Sequence, residues 1–151
     1  MKNIFIISRK IDETMELLLP ALQNVIRETP SISANGSITS ILYDNMDLRI
    51  YIGNGNKFKN EFPYMNKITF VIHTETDKYE EMNTDDVIMI SEILRETSSK
   101  LSILFNNVCP RNSSTFDVLY DIERLYKMKV GDDSDLPVFK IIEDYVNYII
   151  K

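Results

Sequence analysis

The chain has 151 residues, with 17 lysines and arginines against 23 aspartates and glutamates, a net charge of −6. That balance offers no cationic stripe to displace counterions from a phosphate backbone, which argues against direct nucleic-acid binding. No apolar run approaches the ~20 residues of a membrane span, and the start carries no signal-peptide pattern. The lone cysteine, Cys109, has no internal partner, as in a reducing compartment. One domain over residues 1–151 is expected, since a chain this long buries about 70% of its unfolded surface without disulfide or metal.

Residues 3–8, NIFIIS, form a nearly continuous apolar run, as a parallel strand buried on both faces does. From Asp12 onward, Met15, Leu18, Leu19, Leu22, Val25 and Ile26 recur as one helix face. Pro20 should kink this helix or mark its true start, because the ring removes a backbone hydrogen bond. Residues 30–37 read as loop. SITSILY (37–43) and LRIYIGN (48–54) flank a short DNMD turn and form the most hairpin-like pair, with Leu48, Ile50 and Ile52 on one face and Arg49 and Tyr51 opposite.

The stretch GNGNKFKNEFPYMN (53–66) reads as a polar loop, and KITFVIHTET (67–76) as the next strand. Asn83 or Thr84 can cap a helix carrying Val87, Ile90, Ile93 and Leu94, with Asp85 and Asp86 favourable in its first turn. KLSILFNNV (100–108) is a buried strand, followed by a helix with Val118, Leu119, Ile122 and Leu125 inward. An acidic loop, VGDDSD, leads to a short strand, LPVFKI, and a closing helix with Tyr145, Val146 and Ile149 as its stripe.

This order, β-α-β-β-β-α-β-α-β-α, predicts an α/β fold: a mostly parallel sheet with one antiparallel hairpin and helices on both faces. It resembles the order of Ras-like, P-loop-NTPase-like domains, which implies a nucleotide site at three stations. A phosphate cradle needs G-x-x-x-x-G-K-[ST], so that backbone N–H groups can approach phosphate oxygens. ISRKIDET (7–14) has neither glycine and puts Asp12 and Glu13 where a triphosphate would sit; Lys10 and Thr14 do not fit the spacing together. At the metal-holding D-x-x-G, the chain reads Ile52-Gly53-Asn54-Gly55, with an isoleucine for the aspartate and both glycines read as turn residues. At the guanine-reading N-K-x-D, Asn106-Asn107-Val108-Cys109 keeps only the asparagine. The expectation is a degenerate nucleotide site with no cofactor, no metal and no catalysis. Its turn should be short and closed by Arg9, Asp12 or Glu13, leaving no phosphate-sized space.

Other chemistries are no better supplied. His73 sits in an H-x-T context, but two-histidine phosphoesterases need two such motifs, and a packed or rim histidine is the simpler reading. Cys109 beside Pro110 is a nucleophile only with a base nearby. The Asp132-Asp133-Ser134-Asp135 run lacks the spaced ligands and distal glutamate of a calcium loop and reads as a solvated turn.

Residues 66–94, NKITFVIHTETDKYEEMNTDDVIMISEIL, resemble the centromere protein M family in a strand followed by a K-Y-x-x-x-N-T-like turn and a helix, with Lys78, Tyr79, Asn83 and Thr84 at those positions. The opening strand, acidic glycine-poor turn and leucine-rich helix (4–19) are similar too. The resemblance implies a pseudo-GTPase scaffold of the inner kinetochore in the nucleus, acting in cell division with centromere proteins I, H and K as partners, without membrane or nucleotide. A partner-binding face exposes aromatic side chains beyond what the core needs, and Phe58, Phe62, Tyr64 and Tyr79 are its candidates. Two alternatives stay open. HTETDKYEEMNTDDVIMISEIL is loosely similar to immunity-associated and septin-like GTPases, which implies a divergent GTPase or nucleotide-binding regulatory protein with an unorthodox phosphate loop. A viral or parasite regulatory domain of the same shape fits the asparagine- and isoleucine-rich composition.

Overall fold

A computed structural model describes residues 2–73, 84–97, 100–106 and 113–151. Its strands are β1 (Lys2–Ile7), β2 (Ser31–Asn35), β3 (Ile38–Tyr43), β4 (Leu48–Gly53), β5 (Lys67–His73), β6 (Leu101–Asn106) and β7 (Val138–Phe139). The helices are α1 (Ile11–Val25), α2 (Thr84–Thr97), α3 (Ser113–Val130) and α4 (Ile142–Ile150), with 3₁₀ turns at Asp44–Met46 and Gly55–Tyr64. The strands form one seven-stranded sheet in the order β2-β3-β4-β1-β5-β6-β7. From β4 to β7 all neighbours are parallel, whereas β3 runs antiparallel to both β2 and β4.

The apolar runs follow from burial on both sides of this sheet. In β1, Phe5 and Ile7 join a core under α2, α3 and the 3₁₀ segment, with Phe62, Ile90, Ile93, Leu94 and Ile122. The alternate residues Ile4 and Ile6 join a second core under α1 and α4, with Leu18, Leu22, Tyr145, Val146 and Ile149. A strand covered on one face only would alternate apolar with polar; β1 does not.

Several expectations needed correction. Residues 31–35 form a strand where a loop was expected, because β2 lies at the sheet edge with all five residues exposed and so carries no apolar signal. The helix is continuous from Ile11 to Val25, so Pro20 is not its start. Pro20 and Glu16 both lie on the exposed side, so water can satisfy the Glu16 carbonyl that loses its partner. The polar stretch 53–66 coils into 3₁₀ turns, with the Asn54 side chain accepting the Asn56 N–H at 3.0 Å. The strand expected over 136–141 is confined to Val138–Phe139. Val87 is exposed, but Ile90, Ile93, Leu94 and Ile122 are buried as expected. The side chains of Val118 and Leu119 lie outside the described set, as does that of His73 at the end of β5.

A polar network inside the second core fixes α4 to the sheet. The buried Thr69 hydroxyl is 2.6 Å from the Tyr145 hydroxyl and 3.0 Å from that of Ser102. At the other end of α4, Lys2 and Lys67 donate to the Ile150 and Tyr148 carbonyls, cations placed at a helix C-terminus. The Lys67 ammonium also lies 4.1 Å from the Tyr148 ring centre.

These groups give a pH dependence. Burial pushes the Tyr145 hydroxyl far above its ordinary ionisation range, against the opposing pull of the Thr69 hydrogen bond. Tyr43 and Tyr148 are raised as well, by burial first and then by Glu28 and Tyr126 respectively. A raised folded-state pKa contributes stability that is complete below the unfolded value, about 10, and is lost as pH rises through the folded values. Lys67, lowered by burial and then by Lys2 and Lys151, acts in the opposite sense, as one partly exposed group against three. The urea midpoint is therefore expected to fall above about pH 10, and Tyr145→Phe to flatten that fall. A midpoint that rises over the same range contradicts this assignment.

Candidate functional site

The sheet has one position where its connections diverge. From β1 the chain passes through α1 on one face toward β4; from β5 it passes through α2 on the other face toward β6. Open α/β sheets bind ligands in the crevice beyond the strand ends at such a point. Here that crevice is a cleft of about 630 Å³, lined among others by Ser8, Arg9, Asn54, Lys59, Asp86 and Met89. Its volume falls within the roughly 300–1,000 Å³ of small-molecule pockets.

Only Ser8, Arg9 and Lys10 separate β1 from α1. The Ser8 N–H donates to the Gly53 carbonyl at 3.1 Å, tying the turn to β4. The Ser8 hydroxyl accepts the Lys10 N–H at 3.1 Å and lies 2.7 Å from the Thr14 hydroxyl, which donates to the Lys10 carbonyl at 2.9 Å. Thr14, 1% exposed, thus turns its hydroxyl back into the chain. Arg9 forms an ion pair with Asp86 in the first turn of α2, and Lys59 pairs with Glu92 at 3.0 Å.

The turn is short, as expected, but Ser8 and Thr14 close it. Asp12 and Glu13 face solvent, and Arg9 reaches across to α2. Within residues 8–14 the hydroxyls bond to the chain itself, and a cleft bounded by α2 and the 3₁₀ segment lies beside the turn. Among the described residues its charged lining is balanced, with Arg9 and Lys59 set against Asp85 and Asp86. A triphosphate needs surplus positive charge or a metal ion.

The second station is structural throughout. Ile52 is fully buried in the core under α1 and α4. A Cβ on Gly53 would lie 2.7 Å from the Ser37 carbonyl oxygen, and one on Gly55 would meet Met89 and Ile7. Gly53 is therefore held by close packing against backbone, whereas the contacts at Gly55 are the flexible ends of the Met89 and Ile7 side chains, which can give way. At the third station Asn106 ends β6, and Asn107, Val108, Cys109 and Pro110 lie outside the described residues. Among the described residues, no group of three or more His, Cys, Asp or Glu side chains is placed to hold a metal ion, and no helix is long and apolar enough to cross a membrane. Asp132 and Asp133 are exposed in a turn closed by the Ser134 N–H on the Gly131 carbonyl at 3.1 Å.

The candidate partner-binding aromatics separate into different environments. Phe62 is fully buried in the core and presents no surface, which corrects its placement on a binding face. Phe58 is half-buried, its ring 4.7 Å from that of Phe5, and contributes mainly to the cover over β1. Both corrections have one cause: the 3₁₀ turns fold this segment onto the sheet in front of α2. Tyr64 is 77% exposed. Tyr79, with Lys78 and Asn83, lies outside the described residues, and Thr84 begins α2. The sequence did not single out the Ser8–Thr14 pair, or Asp86 and Lys59 as cleft groups. Two hydroxyls six positions apart carry no motif until a three-residue turn brings them together.

Comparison with protein-family models and with curated proteins finds no match to this chain.

Proposed function

We propose that this chain is a non-catalytic scaffold, a Ras-like domain that works through its surfaces and has no nucleotide chemistry at its β1–α1 turn. The observation that carries the reading is the Ser8–Thr14 closure, in which the turn's hydroxyls bond to the chain itself. The strand order supports it: with the edge strand β2 set aside, β3-β4-β1-β5-β6-β7 is the order of the Ras-like architecture. Exposed apolar groups support a partner as well. Tyr64 stands clear of the core, and Val87, Leu125 and Met128 line a shallow groove between α2 and α3. The resemblance to the centromere protein M family supplies the partners: the helical-repeat centromere protein I, with centromere proteins H and K, at the inner kinetochore.

Co-purification with that helical-repeat protein tests the assignment. Tyr64→Ala should weaken the complex about tenfold and leave the isolated domain within about 0.5 kcal/mol of its original stability, as surface substitutions do. Unchanged affinity would remove Tyr64 from the interface, and failure to co-purify would remove the kinetochore partner.

A second reading, a divergent nucleotide-binding regulatory protein, is favoured by the cleft at the switch point. It requires a ligand held by the cleft walls with little help from the turn.

A further inference from the structure

The chain contains two Asn-Gly pairs, Asn35-Gly36 and Asn54-Gly55, and the fold treats them differently. In such a pair the glycine nitrogen, with no side chain crowding it, can attack the side-chain amide carbon of the preceding asparagine. Whether it does so in a folded chain depends on the freedom of the local backbone. Asn35 ends β2, and Gly36 opens the two-residue turn to β3, with Asn35 paired to Ile38. Both residues are exposed, and Gly36 has a φ of +65° with nothing within 4 Å of the position a Cβ would take. Among the described residues no hydrogen bond engages the Asn35 side chain, and no strand pairs with the outer side of β2.

Asn54 is held instead. Its side-chain oxygen accepts the Asn56 N–H at 3.0 Å, and its carbonyl accepts the Lys57 N–H at 3.4 Å. Gly55 is buried at the start of the 3₁₀ segment, with the Met89 and Ile7 side chains over it.

We propose that Asn35 is a deamidation site, converted in the folded chain to isoaspartate and aspartate, and that the fold protects Asn54. The Gly36 nitrogen gives its proton to solvent base and bonds to the Asn35 Cγ. The Cγ–Nδ2 bond breaks, and ammonia leaves with a proton from water. The resulting five-membered succinimide takes up water at either carbonyl and opens to isoaspartate or to aspartate. No oxidant, reductant or metal takes part.

The attack requires the Asn35 backbone to swing out of its extended conformation, which breaks only the last pair of an edge strand. Openings at such loop tips cost little, whereas those that unpack buried residues cost more. At Asn54 the same swing must release the Asn56 N–H and lift Gly55 from beneath Met89. The isoaspartate product lengthens the backbone by one carbon at the mouth of the hairpin. It also places a carboxylate in the run Thr29–Tyr43, which has no charged residue.

The test is to incubate the full chain in mildly alkaline buffer, folded and in parallel in urea, and to follow both sites by peptide mapping with mass spectrometry. In the folded chain Asn35 should convert at least about tenfold faster than Asn54. In urea the two should convert at similar rates, since each is followed by glycine. An isoaspartate-specific carboxyl methyltransferase with labelled S-adenosylmethionine should mark the Asn35 peptide of the folded sample. A smaller folded-state ratio, or an Asn35 that converts only in urea, overturns the proposal. So does a ratio that persists in urea, which would place the preference in the sequence and not in the fold.

Discussion

Tyr145→Ala is expected to lower the free energy of unfolding by about 3–5 kcal/mol, the range for removing a large aromatic from a core. Tyr145 is fully buried, packs edge-on to Phe139 at 5.6 Å and anchors α4 over β5 and β6. Truncation leaves a cavity between sheet and helix and strips Thr69 of one hydroxyl partner. Against a total stability of roughly 5–15 kcal/mol this is a large fraction, and urea denaturation measures it. Tyr145→Phe should cost only about 1 kcal/mol, since the ring stays and one hydrogen bond goes. Comparable costs for the two variants would mean that the network, not ring packing, holds α4.

Gly53→Ala is the second change with a large expected effect. The new Cβ would stand 2.7 Å from the Ser37 carbonyl oxygen and 3.3 Å from the Ile38 side chain. The nearer of these is backbone and belongs to the end of the β2–β3 hairpin, so it can retreat only if the β3–β4 pairing shifts. Overpacking of this kind costs about 1–3 kcal/mol, offset by about 0.4–1 kcal/mol from the stiffer unfolded chain. Gly53 also accepts the Ser8 N–H, so movement there loosens the β1–α1 turn. The expected result is a lowered urea midpoint with an unchanged denaturant slope. A midpoint at or above that of the parent would show that Gly53 is not held by packing.

The sequence made β1, β4, β5, β6 and α4 legible for one reason: each buries side chains with a clear period. Ile4 through Ile7 read as a doubly covered strand, and Tyr145, Val146 and Ile149 as a helix stripe, because those faces are where the cores lie. Strand β2 was illegible because no side chain of SISAN is buried and its order comes from backbone pairing. Phe62 and Phe58 misled because a glycine- and asparagine-rich surround resembles a loop; only the 3₁₀ geometry turns their rings onto Phe5. The missing glycines of residues 7–14 and the isoleucine at position 52 were plain from the start. The closing of that turn by Ser8 and Thr14 depends on a turn length that no motif reports.

The central proposal is that the β1–α1 turn does not hold a triphosphate, and isothermal titration of the chain with GTP and Mg²⁺ tests it most directly. The account predicts no saturable heat up to millimolar nucleotide. Micromolar binding would contradict it, and would move the switch-point cleft from residual space to working site.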